Sequence, residues 1–203
     1  MAVILQHVLD MMRLRSGPQD LPASRGLTLI LAAAYVSQGF IAGGVLDEQD
    51  AAPRTILAIA VQFGVISALL NFKNLPSRIN QTISALAATG FLFGMASIAI
   101  LSQLQPGEAR PDIAMVYLVL FIWSLLVDAH IYRHALSVKM SMGVLISVSI
   151  FAANLVLLQV VFGYQPCTFT FSEPAEHSWA AWRCWQSERA IASRARTSTP
   201  IRP

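Results

Sequence analysis

The sequence predicts an all-α fold: an integral membrane five-helix bundle preceded by an N-terminal amphipathic interfacial helix. Three observations carry this expectation. Of 203 residues, 55% are hydrophobic and only 12% are charged, about half the charged share of an ordinary soluble domain. The apolar residues gather in five runs of a length suited to crossing a hydrocarbon core of about 30 Å at about 1.5 Å per helical residue, the second short but adequate. Short polar turns separate the runs. That suits one antiparallel bundle in which each helix satisfies its own backbone groups.

Residues 1–16 form the first element. Ile4, Leu5, Val8, Leu9, Met11 and Met12 share one arc of a helix, and Gln6, His7, Asp10 and Arg13 share the other, as in a helix lying in the membrane interface. A signal peptide fits poorly, because polar residues interrupt the apolar core and the charges follow it. Gly17-Pro18 breaks this helix, and Ser24 is placed to cap the next. The first span covers 27–46 and is closed by Asp47, Glu48 and Asp50. Pro53 opens the second, 56–72. The third, 79–104, is long enough to tilt and ends at Pro106-Gly107. Pro111 precedes the fourth, 113–131, and the fifth covers 140–162. Residues 27–163 thus read as one bundle. In 164–203 the composition changes to Ser, Arg, Trp, Pro and Cys, which reads as a disordered or non-native tail dispensable for folding. Cys167 and Cys184 both lie there, and no Cys/His spacing suggests zinc.

The formal charge is +3 and the pI near 9.2. No basic stripe interleaves with aromatics in the apolar body, so nucleic acid is not an expected partner. The basic residues instead sort by side. Arg13, Arg15, Arg25, Lys73, Arg78, Arg133 and Lys139 fall on one side of the alternating spans, and only Arg54 and Arg110 on the other. Positive charge stays on the cytoplasmic face, which places the N-terminus in the cytoplasm. Five arginines after residue 180 sit awkwardly with the resulting external C-terminus.

The densest ionisable set near any apolar run is Asp128, His130, Arg133 and His134. An ionisable group just inside a membrane is a candidate functional site. His130 and His134 are four apart and share a helix face, whereas Asp128 points about 200° away from His130. Three arrangements compete: a structural one, in which Asp128 pairs with a basic side chain such as Arg133 or Lys73 or with a neighbouring helix while the histidines and Tyr132 sit in the headgroup region; a proton or ion relay; and a metal held by the two histidines. A metal needs further ligands, and none is evident, so neither metal nor cofactor is expected. Gly39-Phe-Ile-Ala-Gly43 and Gly90-Phe-Leu-Phe-Gly94 are GxxxG strips, where helices approach closely. Gln38, Gln62, Gln81, Asn154 and Gln159 are polar residues in or near spans, suited to bonding between helices. No Ser-His-Asp set, HExxH, P-loop or GxSxG is present, so no enzymatic activity is expected.

Two stretches carry a resemblance. Leu14-Arg-Ser-Gly-Pro-Gln-Asp-Leu-Pro-Ala-Ser24 and Trp123-Ser-Leu-Leu-Val-Asp-Ala-His-Ile-Tyr-Arg-His-Ala-Leu136 resemble an uncharacterised group of small inner-membrane proteins of proteobacteria. Arg78 and Gln81-Thr82 fit the same pattern, and the likeness covers about residues 13–163. The five-span layout is also similar to the Yip family, on span count and order alone. The resemblance implies a multi-pass protein of the bacterial inner membrane and no catalytic residue. The expected role is a non-enzymatic scaffold or assembly factor acting through helix contacts, with the bilayer, a membrane protein or further copies of itself as partners. The alternative is a small oligomeric transporter or channel subunit using Asp128 and His130.

Overall fold

The computed structural model describes residues 2–45, 50–103 and 110–162. The expected tail 164–203, with both cysteines, and the turn residues Asp47, Glu48 and Pro106-Gly107 lie outside the described residues. Among the described residues every regular element is helical: α1 (Ala2–Met12), α2 (Arg25–Val45), α3 (Ala51–Phe72), α4 (Ile79–Leu101), α5 (Pro111–Leu136) and α6 (Met140–Phe162), with single 3-10 turns at Pro18–Asp20 and Pro76–Arg78. Five helices, α2 to α6, are long and apolar enough to cross a membrane.

The element boundaries follow from local chemistry. Ser24 caps α2 as expected: its Oγ accepts from the Leu27 N–H at 3.4 Å, satisfying one of the first-turn donors that have no helical partner. α3 begins five residues earlier than the apolar run, with Pro53 inside its first turn. Proline is tolerated there because a first-turn N–H is unpaired in any case. Pro111 opens α5 for the same reason. At its other end α5 runs five residues past the expected boundary, to Leu136, and the left-handed Ser137 (φ 52°) stops it.

The spanning helices pack in the cyclic order α2–α4–α5–α6–α3, with α3 returning to α2, so they close a ring. α4 is the most enclosed, with 39% of its apolar window buried against 11% for α3 and α6. Most of its inward positions are small: Thr82, Ser84, Ala85, Ala87, Ala88 and Thr89 are buried, together with the larger Leu86 and Phe93. The exposed positions of the other helices are large and aliphatic, such as Leu29, Ile41, Val119, Leu145 and Val156. Lipid chains are as apolar as leucine, so hydrophobic burial cannot hold membrane helices together. Close packing of small residues and hydrogen bonds between helices do so instead. Thr28 on α2 illustrates both, its hydroxyl 2.9 Å from that of Ser84 and donating to the Asn80 carbonyl at 3.2 Å.

All four glycines of the expected strips sit at contacts within the chain. A methyl group on Gly39 or Gly43 would collide with Thr55 or Ala51 of α3; on Gly90 it would come within 2.9 Å of the Tyr35 ring, and on Gly94 it would strike the Gln38 amide. Gly143 is a fifth close approach, against the Ala129 carbonyl of α5. Gly143 and Ser147 also form a small-xxx-small pair, the signal from which this contact was readable. The Ser147 hydroxyl donates to the Leu125 carbonyl at 3.1 Å.

Candidate functional site

The expected cluster Asp128, His130, Arg133 and His134 is divided between three surroundings. His130 and His134 face the segment between α1 and α2. Arg133 is exposed, its Cβ lying towards Gly143 of α6. Asp128 opens into a cavity inside the ring.

The histidine face forms a clasp with the Gly17–Leu21 segment. His130 Nε2 lies 3.1 Å from the Ser16 carbonyl; a carbonyl only accepts, so Nε2 carries the hydrogen. The His134 ring stands edge-on to His130 at 4.5 Å and packs against Gly17. Gln19 Nε2 donates to the His134 carbonyl at 3.0 Å. Gln81 Nε2, from α4, donates to the Leu21 carbonyl at 2.9 Å and the Gln19 carbonyl at 3.3 Å. The Asp20 carboxylate accepts from the Gly17 N–H at 2.9 Å, closing the 3-10 turn. Pro18 and Leu21 are buried beneath it. The clasp gives the polar end of α5 its partners, which is why the helix continues through residues 132–136 instead of ending with the apolar run. It also seats α1, whose Val8 and Met11 are buried in the core formed with α4 and α5. With Nε2 of His130 committed to Ser16, and no group of three His, Cys, Asp or Glu together among the described residues, the two histidines have no third metal ligand.

The cavity is about 320 Å³ and lies between α2, α3, α4 and α5. Its polar lining is Asp128 and Ser124 from α5, Gln38 and Tyr35 from α2, and Gln62 and Thr55 from α3. Ser97 on α4 adds a hydroxyl, while Gly90 and Gly94 of the same helix leave the space; Phe93, Ile59 and Leu86 supply apolar walls. Among the described residues no lysine, arginine or histidine lines it. Gln38 is only 5% exposed and lies over Gly94. Gln62 Nε2 reaches the Tyr132 hydroxyl at 3.5 Å, one turn beyond Asp128 on the same face.

Asp128 makes no hydrogen bond and no salt bridge with any described residue. The expected pair with Arg133 or Lys73 does not form: both are exposed. Asp128 lies eight residues before the end of α5, about 12 Å into the helix at about 1.5 Å per residue. The sequence placed it near an edge because the apolar run stops three residues after it; the extra helical turn carries it deeper. Tyr35 and Gly143 were not singled out from sequence, and Tyr132, expected in the headgroup region, is instead buried in the bundle with its hydroxyl towards Gln62. Helical spacing could have found the cavity wall on each helix separately, since Tyr35–Gln38, Thr55–Gln62, Ser124–Asp128 and Gly90–Gly94–Ser97 each repeat with the turn of a helix. That the four strips face one another is a tertiary fact.

The fold defines the class as a multi-pass helical membrane protein. No family model, no curated protein and no solved structure matches the chain.

Proposed function

We propose that the protein is a small transport protein that engages a cation or a proton at Asp128. One observation carries this reading: a carboxylate without a counter-charge among the described residues opens into a half-open cavity, lined by both polar and apolar side chains, between four of the spanning helices. An ionised aspartate at the centre of a span costs about 2.5–3.5 kcal/mol on insertion scales. No described side chain offsets that cost, so the compensating charge enters through the cavity. His130 takes no part, since its ring nitrogen serves the clasp; this departs from the role the sequence suggested for it.

The test is electrical. Proteoliposomes on a supported membrane receive jumps of protons, sodium or a small organic ammonium. At least one jump should give a current that Asp128→Asn removes while the melting curve stays unchanged. Silence on every jump, or a current indifferent to the substitution, would overturn the reading. A stable copurifying partner together with that silence would return the scaffold role, although the glycine strips on which it drew are occupied within the chain.

The same reading places α1 in the cytoplasmic interface of a bacterial inner membrane. Its Leu5 and Leu9 are exposed while Val8 and Met11 are buried on the bundle, which suits a helix with one flank on protein and another on lipid. Seven basic residues against two set the orientation. Reporter fusions after Asp50 and Asn74 should read periplasm and cytoplasm respectively. The reverse pattern would invert the topology.

A further inference from the structure

We infer that the species held in the Asp128 cavity is a small organic monocation, an ammonium with an apolar body, in preference to an inorganic ion. This rests on the transport reading above and names its substrate class.

Charge selects the sign and valence. Among the described residues the lining holds one carboxylate and no basic side chain, so a single positive charge brings the cavity to neutrality. An anion would face Asp128 with no compensating group. A dication would leave one charge buried and unpaired, which is disfavoured in a medium of low dielectric constant.

Coordination argues against a bare metal ion. Hard cations take about six or more oxygen ligands at about 2–2.6 Å. Here the donors are spread over four helices around about 320 Å³, and Asp128 is the one acidic or histidine ligand among the described residues that line it.

Shape and wall chemistry select the body. The volume is at the low end of the roughly 300–1,000 Å³ typical of small-molecule sites, far larger than an ion needs. Two aromatic rings, Tyr35 and Phe93, line it together with Ile59 and Leu86. An ammonium with alkyl or aryl substituents matches this combination. Its charge meets the carboxylate and the faces of aromatic rings, which attract cations, and its substituents cover the aliphatic wall. The glycines at 90 and 94 let two lining side chains pack close against α4: a methyl group at either would meet Tyr35 or Gln38, which themselves border the cavity.

The probe is benzyltrimethylammonium, titrated calorimetrically into the full-length protein in detergent. Benzyl alcohol and phenylacetate serve as a neutral and an anionic control of similar size. Saturable binding is expected for the cation, with both controls at least tenfold weaker. Asp128→Asn should weaken the cation at least tenfold. Phe93→Leu, which keeps an apolar wall but removes the ring, should weaken it severalfold. Ala58→Phe is the second variant: it fills the cavity from α3 and leaves the carboxylate in place, and it should abolish binding with folding preserved by its melting curve. Equal binding of benzyl alcohol, or cation binding unchanged in Asp128→Asn and Ala58→Phe, would overturn the inference. If benzyltrimethylammonium fails to bind while a proton or sodium jump still gives an Asp128-dependent current, the substrate class is wrong and the transport reading stands. Binding that depends on Asp128 without a current on any jump keeps the ligand and removes transport. Neither binding nor current removes both.

Discussion

Gly143→Ala should destabilise the bundle by about 1–3 kcal/mol, the range for inserting a group into a site with no room for it. The reason is the nature of the obstacle. A methyl group at 143 would collide with the backbone carbonyl of Ala129 and come within 3.3 Å of Arg133 Cβ. Neither can swing aside, because both belong to the helical frame of α5. The two helices would have to separate, and their other contacts would loosen with them: the Ser147 hydroxyl on the Leu125 carbonyl at 3.1 Å and the Phe121–Phe151 ring pair at 4.9 Å. Gly39→Ala should cost less, since its obstacle is the Thr55 side chain, which can change rotamer. Gly64→Ala is the control. Nothing lies within 4 Å of a methyl group there, and alanine favours a helix over glycine by up to about 1 kcal/mol. Thermal or SDS-titrated unfolding in mixed micelles measures all three. An unchanged curve for Gly143→Ala would mean that α6 does not approach α5 at backbone distance.

Arg78→Ala should remove about 2–3 kcal/mol and release α1. The last carbonyls of a helix lack intrahelical partners, and those of α5 are served from another element. Arg78 Nη1 donates to the Ala135 carbonyl at 3.2 Å, to the His134 carbonyl at 3.4 Å and to the Ser137 hydroxyl at 2.8 Å. The guanidinium also sets a positive charge at the negative end of the α5 dipole. Its loss leaves the His134 carbonyl to Gln19 alone, so the clasp loosens where it holds the α1–α2 segment. Arg78→Lys should recover only part of the loss: its ammonium restores the positive charge and three N–H donors on one nitrogen, but its side chain is one atom shorter than the reach of Nη1, the nitrogen that makes all three bonds. Faster tryptic cleavage after Arg13 and Arg15 should accompany the lowered melting temperature. A melting temperature and cleavage rate both equal to the parent's would show that the clasp does not depend on Arg78.

How much of this was legible depended on whether the property was local. Hydropathy is local: α6 spans the residues read for it, 140–162, and α3 ends at the expected Phe72. The ends that moved are those where polar residues meet an apolar run. Residues 132–136 read as a turn because His134 and Arg133 are costly in a span. They are helical because Gln19 and Arg78 receive the backbone groups that water would otherwise satisfy.

The site divides along the same line. The angular separation of Asp128 from His130 follows from helix geometry alone, since two residues turn the helix by about 200°. What each would face did not follow. The nearest basic residues in sequence, Arg133 among them, were the natural partners to expect for Asp128, yet a helix carries them to other faces. Likewise Gly90 and Gly94 announced a close approach, but not that Tyr35 and Gln38 would fill it and border a cavity. By itself, then, the sequence determined the five apolar helices, their alternation and their glycine strips, because in lipid each helix must satisfy its own backbone and lengths follow from the bilayer. Only the tertiary structure decided the ring order, the clasp on α5 and the unpaired Asp128 in its cavity. Those depend on which helix faces meet, and in an environment as apolar as the side chains no burial pattern along the chain records that choice.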